Sequence, residues 1–261
     1  MLDKHTLFKM ALDSGQVPNP LFKYTSTDTL LKILENGSLK FSRISDFNDD
    51  RECFAIIDCD CSRDEWALYI NTLNPELPRS RRRSILKKIM NNPEIGSNWI
   101  KSAINGANAD LGILCLTTHP NNSLMWAHYA DSSKGVCIEF DVSLDLDTFC
   151  LPRKVAYNDE ACRYNYIKNW IERKRLDSIE PIYHKSAVWS YEDEYRVVRI
   201  DGAGFMNFNI EAIRSICFGS KTPANVIDEV KALCEKKNYN HITFTKIHID
   251  PATGHYLRQP V

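Results

Sequence analysis

The sequence predicts an α+β protein, with a central mixed or antiparallel sheet, flanking helices and a helical insertion. Three observations lead there. Strand-like segments fall in runs on both sides of the chain's middle, without the strand–helix–strand rhythm of a doubly wound sheet. A segment between them, about residues 64–110, is patterned as helix throughout. With 261 residues, 43% of them hydrophobic and 26% charged, the chain has the composition of a packed globular protein and the length of one large domain spanning 1–261.

Each element has its own signal. An amphipathic helix over about 4–14 runs into Pro18-Asn19-Pro20, which breaks it. Residues 21–26 read as a strand. Thr27 or Asp28 is placed to cap a helix over 29–35, and Asn36-Gly37 to stop it with a left-handed C-cap. Residues 39–43 alternate as a second strand and enter a polar loop, 45–50. The insertion is interrupted at Pro75, Pro78 and Pro93 and carries the basic run Arg79-Ser80-Arg81-Arg82-Arg83. Strands at 112–118, 135–141 and 152–157 follow, with a helix over 121–131 after the first of them. A polar helix over about 161–177 then leads to a strand at 194–200. Strands at 205–210, 215–218 and 242–249 complete the pattern, with a helix over 223–236 before the last.

Lys plus Arg number 33 against 34 Asp plus Glu, so no general attraction to nucleic acid or anionic membrane is expected. Apolar runs such as 112–116 are too short to span a bilayer. Met1-Leu2-Asp3-Lys4-His5 lacks the basic and apolar regions of an export signal. The 9 cysteines are odd in number and scattered, several inside apolar runs (Cys115, Cys137, Cys217), which suits reduced thiols. A reducing, cytoplasmic compartment is therefore expected. Cys59-Asp60-Cys61 has no second ligand pair at metal spacing, so no metal site is expected. No P-loop or glycine-rich dinucleotide fingerprint occurs.

Three motifs carry candidate chemistry. The first is Phe22-Lys23-Tyr24-Thr25, followed after one helix by Phe41-Ser42-Arg43-Ile44-Ser45-Asp46-Phe47-Asn48. Lys23 and Arg43 would present two cations to an anionic ligand, although solvated strand ends are the commoner use of such residues. The second runs from Cys115 through His119 to Tyr129 as strand, turn and helix. Trp126 and Tyr129 are three apart and share a helical face, as Leu124 and His128 do by four-residue spacing. Aromatics at that spacing more often build core than a ligand platform. Cys115 and His119 also form a candidate nucleophile pair. The third motif is 185–198, where Glu192 and Glu194 have strand spacing and would project from one face. Adjacent carboxylates can divide labour, one stabilising a developing cation and one orienting an acceptor; pairing with Arg196 is the competing structural use.

Several segments resemble the signature blocks of a bacterial family catalogued as domain of unknown function 2971. They are Phe22-Lys23-Tyr24, Leu39-Lys40-Phe41-Ser42 with Asp46-Phe47-Asn48-Asp49, Leu124 to Tyr129 with Lys134-Gly135-Val136-Cys137, and Trp189 to Arg196. The trailing Ile216-Cys217-Phe218-Gly219 matches too. The layout is more distantly similar to ADP-ribosyltransferases of the DarT toxin type. That similarity implies an ADP-ribosyltransferase-like sheet, NAD as substrate and a toxin or antiphage role. It also implies Glu194 as catalytic glutamate, with Glu192 positioning the acceptor nucleophile. Lys23 would stand where those enzymes carry His or Arg, with Arg43 holding the pyrophosphate and Trp126 or Tyr129 flanking nicotinamide. Tyr24, Asn48, His128 and Arg196 fall in the same blocks and, with Thr25 and Ser45 next to them, complete the implied cofactor-binding set. The partners implied are a small-molecule nucleotide and a macromolecular acceptor, protein or nucleic acid. Two alternatives stay open at this point: a non-catalytic nucleotide- or partner-binding module, and a nucleic-acid-acting defence protein that uses Arg79 to Arg83.

Overall fold

The computed structural model describes residues 3–49, 51–173 and 179–261. In chain order the first elements are α1 (Lys4–Asp13), β1 (Leu21–Thr25), α2 (Thr27–Asn36), β2 (Ser38–Phe41) and β3 (Ala55–Asp58). Three helices follow, α3 (Arg63–Leu73), α4 (Arg79–Asn91) and α5 (Pro93–Asn108). Next come β4 (Gly112–Thr117), α6 (Ser123–Tyr129), β5 (Val136–Phe140), β6 (Arg153–Lys154), β7 (Ala156–Tyr157) and β8 (Cys162–Asn165). Then come α7 (Tyr166–Arg173), β9 (His184–Lys185), β10 (Glu194–Arg199) and β11 (Gly204–Asn207). The chain closes with β12 (Ile213–Phe218), α8 (Ala224–Lys236), β13 (Thr243–Ile249) and β14 (Tyr256–Pro260). These fall into two compact units, one of 1–42, 112–155 and 188–261 and one of 43–111 and 156–187. Among the described residues no helix is long and apolar enough to cross a membrane.

The first unit is built on a mixed sheet in the order β14-β13-β12-β5-β1-β4-β10-β6. Only β12 and β13 run parallel; every other neighbouring pair is antiparallel. Alternation along the strands separates two apolar faces. Leu21, Leu116, Ile138, Phe140 and Ile216 meet α1, α2 and α8 through Phe8, Leu30, Leu34 and Val230. Phe22, Tyr24, Cys137 and Cys217 meet α6 through Met125, Trp126 and Ala130. Gly37 closes α2 in the left-handed conformation at φ 59, as its sequence signal predicts. The cap at the other end is Ser26, whose Oγ accepts from the Thr29 N–H at 3.2 Å, so α2 begins earlier than a Thr27 or Asp28 cap implies. β2 pairs with β11 in a separate two-stranded sheet.

The second unit packs α3, α4, α5 and α7 around Trp66, Tyr69, Ile89, Ile100 and Ile167. Tyr69 lies edge-on to Trp170 at 5.2 Å and to Tyr166 at 6.0 Å. The predicted insertion at 64–110 thus forms three helices, and the break at Pro93 separates α4 from α5, whose first turn it opens. The polar helix predicted over 161–177 is corrected here. Cys162–Asn165 is strand β8, paired in parallel with β3, and only Tyr166–Arg173 is helical. The rest of that predicted helix, 174–177, lies outside the described residues. The partner of β8 is more than a hundred residues away in sequence, and local periodicity carries no information about such a pairing.

Asp141, just after β5, ties the first unit together and supplies a pH-dependent term. It accepts from Asn19 Nδ2 at 2.7 Å and from the Ser143 N–H and Oγ at 3.1 and 2.5 Å, and it pairs with Arg214. Burial pushes its carboxyl up, but the hydrogen bonds from Ser143, Asn19 and Arg214 outweigh that and hold it below the usual range. A depressed folded-state pKa contributes stability above the unfolded value, which is lost as pH falls through the folded one. Asp141→Asn is therefore expected to cost about 2 kcal/mol near pH 7. Urea denaturation across pH should show the gap to the wild type closing below about pH 4. A gap constant down to about pH 2 would show that the carboxylate charge contributes nothing.

Candidate functional site

The sheet has a thin seam. β1 meets β5 along its whole length, from Leu21↔Phe140 to Thr25↔Val136, and β10 meets β4 from Glu194↔Thr117 to Arg199↔Gly112. β1 and β4 share only Phe22↔Thr117. Beside that single pairing the first unit gathers Lys23, Cys115, Thr117, Tyr129, Glu192, Glu194 and Arg196.

The Glu192-Asp193-Glu194 segment does not have strand geometry throughout, which corrects the spacing argument. Glu192 ends a 3-10 turn over Ala187–Glu192, Asp193 sits at φ 40, and β10 begins at Glu194. A left-handed aspartate is uncommon and needs support. Lys154 lies 2.7 Å from its carboxylate, Thr118 Oγ1 donates to it, and His119 Nε2 is 3.9 Å away. Burial raises the Asp193 carboxyl, but Lys154 and Thr118 outweigh it and hold the group ionised. Thr117 Oγ1 donates to the Glu192 carbonyl. The turn is thus pinned from both neighbouring strands.

Both carboxylates are buried, Glu192 with 3% and Glu194 with 4% of its surface exposed, and Arg196 has none. Arg196 grips Glu194 bidentately, Nε to Oε1 at 2.8 Å and Nη2 to Oε2 at 2.9 Å. Tyr129 donates its hydroxyl to Glu192 Oε1 at 2.6 Å. Its phenol is pushed far up by burial first and Glu192 second. Lys23 donates to the Cys115 carbonyl at 3.3 Å. Burial lowers its pKa, while Cys115 and Glu194 work the other way. The Cys115 thiol is raised well above its usual value by burial and then Glu194, which disfavours the thiolate.

The remaining expected residues have varied placements. Tyr24 is buried, with its hydroxyl on the His119 carbonyl at 2.7 Å and its ring edge-on to Trp126 at 5.1 Å. Trp126 is a core residue, and its indole N–H has no hydrogen-bond partner among the described residues. The Thr25 carbonyl lies so close to Gly135 that a Cβ there would approach it to 2.3 Å. His128 is exposed; its Nδ1 is 2.9 Å from the Tyr191 hydroxyl, and its ring stands 6.3 Å from Trp189. Arg43, Ser45 and Asn48 belong to the second unit, all exposed, with Arg43 3.8 Å from Asp110.

Sequence reasoning gave no role to Thr117, Thr118, Lys154 or Asn122. Asn122 was findable, because an Asn just before an apolar helical run is an N-cap signal. It accepts from the Leu124 and Met125 N–H groups and donates to the Tyr191 carbonyl at 2.9 Å, which ties α6 to the acidic turn. Lys154 lies on a two-residue strand with no local signature.

Chemically, the seam offers a carboxylate fixed by a guanidinium, a second carboxylate held by a phenol, and a lysine ammonium on a backbone carbonyl. Such a set suits stabilising positive charge that develops on a bound ligand. No curated protein and no solved structure matches the chain, and the similarity to DarT-type transferases rests on motif order alone. Residues 125–197, which carry Trp126, Tyr129, Glu192, Glu194 and Arg196, match the family model described as protein of unknown function (DUF2971).

Proposed function

We propose that the protein is an NAD-consuming, ADP-ribosyltransferase-like enzyme whose reaction centre is the seam between β1 and β4. One observation carries the reading: two buried carboxylates sit beside the seam, Glu192 held by the Tyr129 hydroxyl and Glu194 gripped by Arg196, with Lys23 on the neighbouring strand. Burying charge is costly, and breaking even rather than gaining stability is its usual return, so such clusters concentrate at functional sites. In the reaction the bond between nicotinamide nitrogen and ribose carbon breaks, its electron pair leaving with nicotinamide. The ribose becomes oxocarbenium-like, and Glu194, oriented by Arg196, stabilises it. Glu192 and Tyr129 orient the acceptor, whose oxygen or nitrogen forms the new bond to that carbon as its proton passes to Glu192. Lys23 balances the pyrophosphate. The biological setting consistent with this chemistry is a toxin or antiphage effector acting in the cytoplasm.

The test is nicotinamide release from NAD by the purified protein, with cell lysate supplied as acceptor. Glu194→Gln, which keeps the volume of the side chain, is expected to lower release about 100-fold or more while the fold survives by circular dichroism. Equal release from the wild type and the variant would end this mechanism. A second reading has its own support: the bidentate Arg196 already neutralises Glu194 inside the protein, as in a non-catalytic nucleotide-binding module. That module would be stabilised thermally by NAD and release no nicotinamide.

A further inference from the structure

The second unit carries a groove of about 890 Å³ between α3 and α4. Arg63, Arg79, Arg82, Arg83 and Lys87 line it, over a floor that includes Ile70, Leu86 and Met90. No carboxylate lines it, and none of the five cations forms an ion pair among the described residues. Four of them, Arg79, Arg82, Arg83 and Lys87, recur at helical spacing along one stripe of α4. At 1.5 Å per residue that stripe extends about 12 Å. The Nε of Arg82 is buried without a hydrogen-bond partner among the described residues.

The start of α4 points to an anion as well. Pro78 gives no side-chain cap, the first turn has no acidic residue, and Arg79, Arg81 and Arg82 occupy it instead. Cations beside the positive end of the helix dipole are each unfavourable by about 0.3–1 kcal/mol. A bound anion would turn that repulsion into attraction. The whole chain carries a net charge of only -1, so this is a concentration of positive charge against a balanced background.

We infer that this groove binds the sugar–phosphate backbone of a single-stranded nucleic acid. The cations line a concavity between two helices, which fits a narrow strand; reading a duplex would call for a protruding helix. A stripe of about 12 Å spans two to three successive phosphates, since they repeat every few ångströms along a strand. No aromatic side chain lines the groove, so base stacking is absent and recognition is electrostatic and indifferent to sequence. The inference does not depend on the seam chemistry, because all the groove residues lie in the second unit.

The test is fluorescence anisotropy of a labelled short oligothymidylate and of the matching oligouridylate with the full chain, over a salt series. With two to three phosphates neutralised the slope of log K against log salt is expected at about -2, and Arg79→Ala/Arg83→Ala/Lys87→Ala should bring it to about -0.7. That variant should bind about 30-fold or more weakly at about 50 mM salt, with an unchanged circular dichroism spectrum. Arg79→Lys/Arg83→Lys should keep the slope, because phosphate is read as charge. Lys231→Ala/Lys236→Ala, on α8, should bind as the wild type does. Absence of binding at low salt, a triple variant that binds like the wild type, or tighter binding to a duplex of the same length would each overturn the assignment.

Discussion

Arg196→Ala is expected to destabilise the protein by about 3–5 kcal/mol. The side chain is wholly buried and holds Glu194 through two hydrogen bonds at 2.8 and 2.9 Å. Its removal leaves a carboxylate inside the sheet without its guanidinium, and that uncompensated charge dominates the loss. Removing both charges should be milder: Glu194→Gln/Arg196→Met replaces the pair with groups of similar volume and should recover most of the loss, since such exchanges are often close to neutral. Urea denaturation of the wild type, the single variant and the double variant measures both effects. A cost below about 1 kcal/mol for Arg196→Ala would mean that the pair is solvated or replaceable. Arg196→Lys should restore little, because one ammonium cannot reproduce the planar two-pronged contact.

Gly219→Ala is expected to cost about 3 kcal/mol, at the upper end for a single added methyl group. A Cβ there would lie 2.1 Å from the Ser133 carbonyl oxygen and 2.6 Å from its carbon, and backbone atoms cannot rotate aside as a side-chain tip can. Around this contact the Gly219 N–H donates to the Gly135 carbonyl at 2.9 Å and the Lys221 N–H to the Ser133 carbonyl at 3.0 Å. The segment being held is unusual, since Asp131, Ser132 and Ser133 have φ of 46, 53 and 70 in succession, a conformation that costs non-glycine residues energy. This run joins α6 to β5, so loosening it should also shift Tyr129. Gly106→Ala is the contrast. Gly106 is exposed in α5 with nothing near its would-be Cβ, and this exchange should stabilise by up to about 1 kcal/mol. Equal effects at the two positions in thermal melts would refute the close-approach argument.

Much of this was legible in the chain itself, for a reason that is local. Helix and strand periods reveal which faces are apolar, and they placed β1, β4, β5, β10 and β12 and most helices within a few residues. Pairing between distant segments leaves no such trace. The parallel match of Ala55–Asp58 with Cys162–Asn165 turned the start of an expected helix into a strand. The acidic motif shows the same division. Residues 192–194 announced two adjacent carboxylates, but the sequence presented them as a simple strand. Their separate partners, Tyr129 for Glu192 and Arg196 for Glu194, depend on the left-handed Asp193 and on Thr117, Thr118 and Lys154 pinning it. The basic run at Arg79 to Arg83 was equally visible as charge, yet whether it crowned a solvated helix or lined a concavity was set only by how α3 packs on α4. By itself, then, the sequence determined the α+β class, the apolar faces and the residues with chemical potential. Tertiary structure alone decided which of them share a buried, desolvated environment, because electrostatics and hydrogen bonding depend on distances between segments that the chain order does not encode.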